Sequence, residues 1–179
     1  MISPERASEV LASAQQLYTQ QEVEQALDRL AQQISERLAG ANPLVLCILN
    51  GALIPMGQLL TRLAFPLRQD YIHATRYRGA TRGAELEWRS RPGTPLAGQT
   101  VLLVDDILDE GVTLAEIVRY CRGAGAKQVH SAVLVEKRLA RSNGFQADFV
   151  GLQVPDRYVF GFGMDYQGYL RNTPGIYAI

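Results

Sequence analysis

Three acidic residues and a glycine follow a short apolar run near the middle of the chain. Residues 101–114 read VLLVDDILDEGVTL, so that the adjacent Asp105 and Asp106 come directly after apolar residues and Asp109 follows three positions later. Two neighbouring carboxylates can accept hydrogen bonds from the two vicinal hydroxyls of a sugar. Gly111 lies in the turn before an apolar helix that Thr113 opens, and backbone N–H groups at such a turn bind phosphate. The pattern predicts a site for a phosphorylated ribose, in which Asp109 faces the carbon that joins sugar to base.

Each of these features also has a purely structural interpretation. Residues 113–116 read Thr-Leu-Ala-Glu, the pattern of a helix capping box, and Gly111 can be an ordinary turn residue. The combination, a buried strand ending in D-D-x-x-D-x-G-x-T before an apolar helix, favours the ligand site. The sequence contains neither G-x-x-x-x-G-K-[ST] nor a G-x-G-x-x-G behind a strand, the two common glycine-rich nucleotide signatures.

The elements that must position these residues alternate between helices and strands. The chain opens with two predicted amphipathic helices, one starting at Ser3-Pro4-Glu5 and continuing through Leu17, the other covering residues 22–38. Apolar runs predict buried strands at residues 44–49, 100–104, 128–136 and 148–154, with helices at 52–63 and 113–122, an extended segment at 65–77 and a loop at 105–112. This alternation is typical of an α/β fold with a parallel sheet, whose ligands bind beyond the carboxyl ends of the strands.

Residues 78–99 differ in character from the rest of the chain. Four glycines and two prolines stand there among Arg, Glu and Ser, with a possible loose hairpin at residues 85–88. Loops of this length in a compact domain are uncommon and often serve as lids. We therefore predict a mobile lid over residues 78–99.

Composition limits the class of protein. The 179 residues predict one domain, and 18 basic against 18 acidic residues disfavour a general nucleic-acid coat or a polybasic membrane binder. No apolar run reaches the roughly 18 residues that a membrane-spanning helix needs, and the N-terminal residues lack the apolar core of a signal peptide. Cys47 and Cys121 lie in apolar surroundings and belong to no Cys/His cluster, so we expect buried, reduced thiols in a cytoplasmic protein.

From about residue 44 to residue 179 the chain resembles the type I phosphoribosyltransferases, and among them the bacterial hypoxanthine-guanine phosphoribosyltransferases. The segments that carry the resemblance are VDDILDEGVT (104–113), ILNGA (48–52), LVEKR (134–138) and ADFVGLQVPDRYVFGFGMDYQGYLRN (147–172). The acidic signature is typical of the superfamily, whereas the C-terminal segment is typical of the branch that acts on 6-oxopurines.

The resemblance implies a fold, a reaction and a setting. The fold is a parallel twisted sheet flanked by helices, with a small hood built from N-terminal residues and residues 155–179. The reaction joins hypoxanthine or guanine to 5-phosphoribosyl 1-diphosphate, giving IMP or GMP and pyrophosphate, with Mg²⁺ as cofactor. The expected partners are these small molecules, without nucleic acid or membrane, and the expected assembly is a cytoplasmic homodimer or homotetramer.

The resemblance also implies roles for individual residues. Asp109 would be the catalytic general base at the purine N7. The ribose and its 5′-phosphate would contact Asp105, Asp106, Asp109, Glu110, Gly111, Val112 and Thr113. The purine would contact Lys137, Tyr158, Val159 and Asp165, and the pyrophosphate would contact Asn50, Gly51 and Arg171. The metal ligands would be Asp105, Asp106 and Asp165, and the lid would include Arg76 and Tyr77.

Three positions depart from the family's pattern. Arg76 stands where the family usually has a serine before the loop tyrosine, so we expect a lid without that serine's contribution. Asn50 replaces a lysine found in many relatives, which leaves a backbone N–H as the expected contact to pyrophosphate. Glu110 replaces the threonine of the usual D-T-G-x-T, and its charge must point outward or bind a cation to avoid weakening phosphate binding.

Two alternatives remain open at this level. The first is a phosphoribosyltransferase for another base. Lys137 and Tyr158 argue against adenine, but Lys137 would serve xanthine equally well. The second is a non-catalytic regulator that binds nucleotide and RNA on the same fold. Such a protein should carry a basic RNA-facing patch, which the zero net charge and the scattered arginines disfavour.

Overall fold

Helices and strands alternate along most of the chain in the computed structural model, which describes residues 2–76, 86–138 and 144–179. The elements are α1 (Pro4–Ser13), β1 (Gln15–Tyr18), α2 (Gln20–Leu38), β2 (Leu44–Leu49), α3 (Leu53–Leu60), β3 (Arg68–Arg76), β4 (Leu86–Ser90), β5 (Thr100–Leu108), α4 (Val112–Gly123), β6 (Gln128–Arg138), β7 (Phe149–Pro155), β8 (Val159–Phe160) and β9 (Ile176–Ala178). None of the helices in these ranges is both long and apolar enough to cross a membrane.

Six strands form the main sheet, in the order β4-β3-β2-β5-β6-β7. All neighbouring pairs are parallel except β3 and β4, which pair antiparallel at one edge. The chain order reverses between β2 and β5, and open α/β sheets bind ligands in the crevice at that point. The predicted α/β fold with a mostly parallel sheet is confirmed.

Both faces of this sheet are covered, which explains its continuous apolar strands. Side chains of β2 point alternately to the two faces. Val45 and Cys47 belong to a core formed with α2 and α3, whereas Leu46 and Ile48 belong to a second core formed with α4. Because every position of β2 is needed by one core or the other, the run LVLCIL contains no polar residue.

A second, smaller sheet joins the two ends of the chain. Its strand order is β1-β9-β8, and both pairs are antiparallel. Gln15 of β1 pairs with Ala178 of β9, and Val159 of β8 pairs with the same residue from the other side. N-terminal and C-terminal segments thus build one structure, as the predicted hood requires.

Several boundaries differ from the sequence predictions, and three of these differences have a clear physical reason. The first helix ends at Ser13, and Leu17 lies in β1, because residues 15–18 pair with the distant strand β9. The strand predicted for 100–104 continues to Leu108, because β6 pairs with it along its whole length. The helix predicted from Thr113 starts at Val112 with Gly111 as its N-cap, so Thr113 does not hold the N-cap position that the capping-box interpretation requires.

The predicted lid segment is described only in part. Residues 86–90 form β4, and Trp88 of that strand pairs with Ala74 of β3. After β4, the carboxylate of Asp70 accepts a hydrogen bond from Thr94 N at 2.8 Å and so fastens the chain back onto β3. Tyr77, predicted to belong to the lid, lies outside the described residues.

Candidate active site

Two adjacent carboxylates lie on β5 itself rather than in the loop predicted for residues 105–112. Asp105 is buried, and its Oδ1 accepts a hydrogen bond from Asp106 N at 2.9 Å. Asp106 Oδ1 likewise accepts one from Ile107 N at 2.9 Å. Burial, followed by the charge of Asp106, raises the pKa of Asp105 well above its usual range. Burial also raises the pKa of Asp106, although the nearby Arg171 opposes this.

The end of β2 lies directly against Asp106. A Cβ atom at Gly51 would come within 1.8 Å of Asp106 Oδ2, so only glycine fits between this backbone and the carboxylate. The peptide bond between Leu49 and Asn50, where β2 ends, is cis. On the other side, a Cβ at Gly163 would come within 2.2 Å of Gly51 O. The loop after β2 (residues 50–52), here called the β2 loop, therefore lies packed between β5 and the C-terminal segment.

A cavity of about 360 Å³, here called the strand-end cavity, opens where β2 and β5 end. The predicted residues that line it are Asn50, Gly51, Asp105, Asp106, Asp109, Glu110, Gly111, Thr113, Asp165 and Arg171. Among the residues predicted to hold the ribose 5′-phosphate, Val112 is the one that does not line it. At its far end, Gly111 has a φ of 77° and α4 begins without a side-chain cap. The N-terminus of a helix is a common place for an anion, because the backbone N–H groups of its first turn point outward along the axis.

A second cavity of about 230 Å³, here called the aromatic cavity, adjoins the first. Its lining includes Lys137, Tyr158 and Val159, all predicted to contact a base. Both cavities share Asp106, Ile107, Asp109 and Asp165. The structure thus brings the predicted sugar-phosphate residues and the predicted base-reading residues to one continuous depression.

Lys137 and Asp109 form an ion pair between these two groups of residues. Lys137 lies near the end of β6, and its Nζ is 3.1 Å from Asp109 Oδ2. The lysine side chain is only 13% exposed, whereas the Asp109 side chain is 51% exposed. An ammonium and a carboxylate held this close offer a donor and an acceptor to adjacent atoms of one ligand.

The C-terminal segment closes the site with a network around Asp165. Arg171 donates from Nη2 to Asp165 Oδ1 and from Nη1 to Gly163 O, the latter at 2.6 Å. Asp165 Oδ2 accepts from Gly168 N at 2.7 Å, and Asp165 O accepts from Tyr158 Oη at 3.2 Å. Arg171 and Tyr158 are therefore both oriented by Asp165, and each lines one of the two cavities.

Comparison with known proteins decides the family. A family model described as a phosphoribosyl transferase domain matches residues 13–167. This chain is a member of the phosphoribosyltransferase family. The hypoxanthine-guanine phosphoribosyltransferase of Bacillus subtilis (strain 168) is 30% identical over 161 residues, which cover 89% of each chain. The hypoxanthine-guanine-xanthine phosphoribosyltransferase of Tritrichomonas foetus is 29% identical, over 89% of this chain and 88% of its own.

Solved structures show the same fold for this phosphoribosyltransferase. A hypoxanthine phosphoribosyltransferase from Staphylococcus aureus superposes with a TM-score of 0.87 at 26% identity, over 92% of this chain and 90% of its own. One from Trypanosoma cruzi, solved in complex with the product IMP, superposes with a TM-score of 0.84 at 26% identity, over 93% of each chain. The predicted family and the predicted class of enzyme, a transferase, are confirmed.

The donor set of this phosphoribosyltransferase suits a metal held jointly with substrate. Within residues 2–76, 86–138 and 144–179, no group of three or more His, Cys, Asp or Glu side chains could hold a metal ion alone. Mg²⁺ is usually bound through one or two carboxylates together with phosphate oxygens and waters. Asp105 and Asp106 fit that pattern. Asp165 has both carboxylate oxygens in hydrogen bonds to Arg171 and Gly168, so it fits contact through a water better than direct ligation.

Sequence reasoning did not single out every residue of the site. Ile107 and Met164 line the aromatic cavity, and Asp156 Oδ1 lies 3.8 Å from Lys137 Nζ. Asp156 follows directly after β7, a position that the strand-end rule marks once β7 is known to pair with β6. Arg76 is the last residue of β3.

Proposed function

We propose that this phosphoribosyltransferase joins hypoxanthine or guanine to 5-phosphoribosyl 1-diphosphate, releasing pyrophosphate and forming IMP or GMP. The observation that carries the proposal is the sharing of Asp109 by the strand-end cavity and the aromatic cavity. A sugar phosphate in the first and a base in the second would meet at this carboxylate. The names of the relatives, which include hypoxanthine-guanine phosphoribosyltransferases, support the same reaction.

The strand-end cavity suits the sugar diphosphate. The start of α4 after Gly111 supplies N–H groups for the 5′-phosphate, and the loop residues Asp109, Glu110 and Thr113 would surround it. Asp105 and Asp106 would accept hydrogen bonds from the ribose hydroxyls. Their carboxylates also suit a sugar that gains positive charge as the bond to pyrophosphate breaks.

The opposite end of the same cavity suits the leaving group. Asn50 and Gly51 would contact pyrophosphate through backbone N–H groups, and Arg171 would contact it through its guanidinium. Asp105 and Asp106, with Asp165 acting through a water, would hold Mg²⁺, which would neutralise the charge of the leaving group when bound. Arg76 and Tyr77 would belong to a lid that excludes water from the reacting sugar.

The aromatic cavity suits a 6-oxopurine. In a purine, N7 and the 6-substituent lie on one edge, and the Asp109–Lys137 pair presents an acceptor beside a donor to that edge. Asp109 would take the N7 proton as general base. Lys137 would donate to a 6-oxo group and would face a 6-amino group unfavourably, at a cost of roughly 1–3 kcal/mol. Tyr158 would stack on the base, and the backbone of Val159 together with Asp165 would contact the 2-position.

An assay with four purines tests the proposal. Purified protein with Mg²⁺ and 5-phosphoribosyl 1-diphosphate is incubated separately with hypoxanthine, guanine, xanthine and adenine, and nucleotide and pyrophosphate are measured. We expect IMP and GMP and no AMP. Nucleotide from xanthine would extend the proposal to the activity named for the Tritrichomonas foetus relative. Absence of product from all 6-oxopurines would overturn the proposal and favour a nucleotide-binding regulator.

The setting of the enzyme belongs to the same proposal. Two buried, unpaired cysteines suit the reducing cytoplasm, where disulfides are rare. A homodimer or homotetramer is expected, and light scattering after size exclusion would measure it.

A further inference from the structure

Lys137 lies between two carboxylates, of which the reaction proposed above uses one. Its Nζ is 3.1 Å from Asp109 Oδ2 and 3.8 Å from Asp156 Oδ1. In the described part of the chain, these are the ion pairs that Lys137 makes. The lysine side chain is 13% exposed, so its ammonium has lost most of its hydration and depends on these partners.

The backbone fixes Asp156 in this position. Lys137 pairs with Val154 across the β6–β7 ladder, so that Asp156 emerges two residues beyond the lysine's partner. Arg157 N then donates to Pro155 O at 2.8 Å, and the chain turns sharply at Asp156. Asp156 lines neither of the two cavities, which keeps its carboxylate out of the space expected for substrate.

We propose that Asp156 is a positioning residue, which keeps the Lys137 ammonium directed at the base while Asp109 reacts. This inference rests on the proposed function. When Asp109 accepts the N7 proton, it loses its charge and ceases to be a counter-ion for Lys137. Asp156 remains as the carboxylate beside the ammonium throughout turnover. Lys137 can then donate one N–H to Asp156 and another to the 6-oxo group, since an ammonium carries three donors.

The Asp156→Asn variant tests this role through the separate Michaelis constants. We expect KM for hypoxanthine to rise about 2- to 5-fold, the range of a partly exposed ion pair. We expect KM for 5-phosphoribosyl 1-diphosphate to stay unchanged, because Asp156 lines neither cavity. We expect kcat to fall by a similarly small factor, because Asp156 is the carboxylate that remains beside the ammonium once Asp109 is protonated. Asp156→Glu should return KM for hypoxanthine toward the wild-type value.

Asp28→Asn is the matched control. The Asp28 side chain is 65% exposed, against 64% for Asp156, and is paired with Arg62 at 2.7 Å, away from both cavities. Removing its charge should leave both Michaelis constants unchanged. The positioning role is wrong if Asp156→Asn and Asp28→Asn have the same KM for hypoxanthine. It is also wrong if Asp156→Asn raises KM for hypoxanthine and KM for 5-phosphoribosyl 1-diphosphate by the same factor.

A double-mutant cycle separates positioning from a general structural effect. In the Lys137→Ala background, Asp156→Asn should change KM for hypoxanthine by less than it does in the wild type, because its partner is gone. The same factor in both backgrounds would overturn the inference. If the wild-type enzyme is active and the two factors are equal, the positioning role is wrong but the proposed function stands. If the wild type is inactive with every 6-oxopurine, the proposed function and the positioning role are both wrong.

Discussion

Gly51 and Asp106 are in direct contact, backbone against carboxylate, at the junction of β2 and β5. A Cβ at Gly51 would stand 1.8 Å from Asp106 Oδ2 and 2.3 Å from Asp106 Cγ. Asp106 has little room to withdraw, since its own Oδ1 is held by Ile107 N at 2.9 Å. The loop proposed to contact pyrophosphate and a carboxylate proposed to contact ribose are therefore positioned by each other.

Gly51→Ala should displace Asp106 or the β2 loop and lower kcat/KM for 5-phosphoribosyl 1-diphosphate by about 10²-fold, the effect of a displacement of about 1 Å in a reacting site. Steady-state kinetics with hypoxanthine saturating would measure it. Gly57→Ala is the control, because a Cβ at Gly57 in α3 would meet nothing within 4 Å. Equal activity of the two variants would show that the contact is unimportant.

Asp109→Asn should lower kcat by about 10²- to 10⁴-fold, the usual contribution of a general base. Asparagine keeps the size of the side chain and can still accept a hydrogen bond from Lys137, but it cannot take the N7 proton. Single-turnover measurements of IMP formation would isolate the chemical step. An unchanged rate would assign proton removal to another group.

Lys137→Ala should reduce discrimination between hypoxanthine and adenine. Losing a charged donor to the 6-oxo group should lower kcat/KM for hypoxanthine about 10- to 100-fold, whereas adenine loses no favourable contact. Lys127→Ala is the matched control, because Lys127 is the chain's other lysine and lies exposed just before β6, at the opposite end of that strand. If the ratio of the two kcat/KM values stays constant in Lys137→Ala, Lys137 does not read the 6-position.

Runs of apolar residues predict the strands of this fold that are covered on both faces of the sheet. The strand predicted at 44–49 is β2, because each of its residues is buried or partly buried by one core or the other. The same reasoning ends the strand predicted at 100–104 four residues too early. Asp105 and Asp106 look like a loop in sequence, yet Ile107 pairs with Val135 and the strand continues.

The contacts that sequence reasoning could not supply are those set by strand register. The approach of Asp156 to Lys137 depends on Lys137 pairing with Val154, and the Gly51–Asp106 contact depends on β2 lying beside β5. A linear pattern identifies residues whose chemistry suits a ribose phosphate or a base. It does not fix the distance between residues on neighbouring strands.

Asp70→Asn should lower thermal stability at neutral pH and do so less in acid. Burial alone would raise the pKa of Asp70, but hydrogen bonds from Thr94 N and Tyr71 N, both at 2.8 Å, lower it below its usual value. A lowered folded-state pKa stabilises the protein above the unfolded value of about 3.9, and that contribution is lost as pH falls through the folded pKa. We expect Tm to fall by about 2–4 °C at pH 7. At about pH 3.5, close to the unfolded pKa, the difference in Tm between the wild type and Asp70→Asn should be smaller. A difference in Tm of the same size at both pH values would contradict this account.

The two cysteines should resist thiol reagents in the folded protein. Burial, with the charges of Asp105 and Asp106 adding to it, raises the pKa of Cys47 to about 12. Burial raises the pKa of Cys121 to about 11. Because the thiolate is the reactive form, a disulfide reagent at mildly alkaline pH should find almost no reactive thiol in the native state and both thiols in denaturant. Both cysteines should also stay unreactive when 5-phosphoribosyl 1-diphosphate is bound. Rapid labelling of Cys47 in the unliganded enzyme would contradict the prediction and show that the core around β2 opens beneath the site.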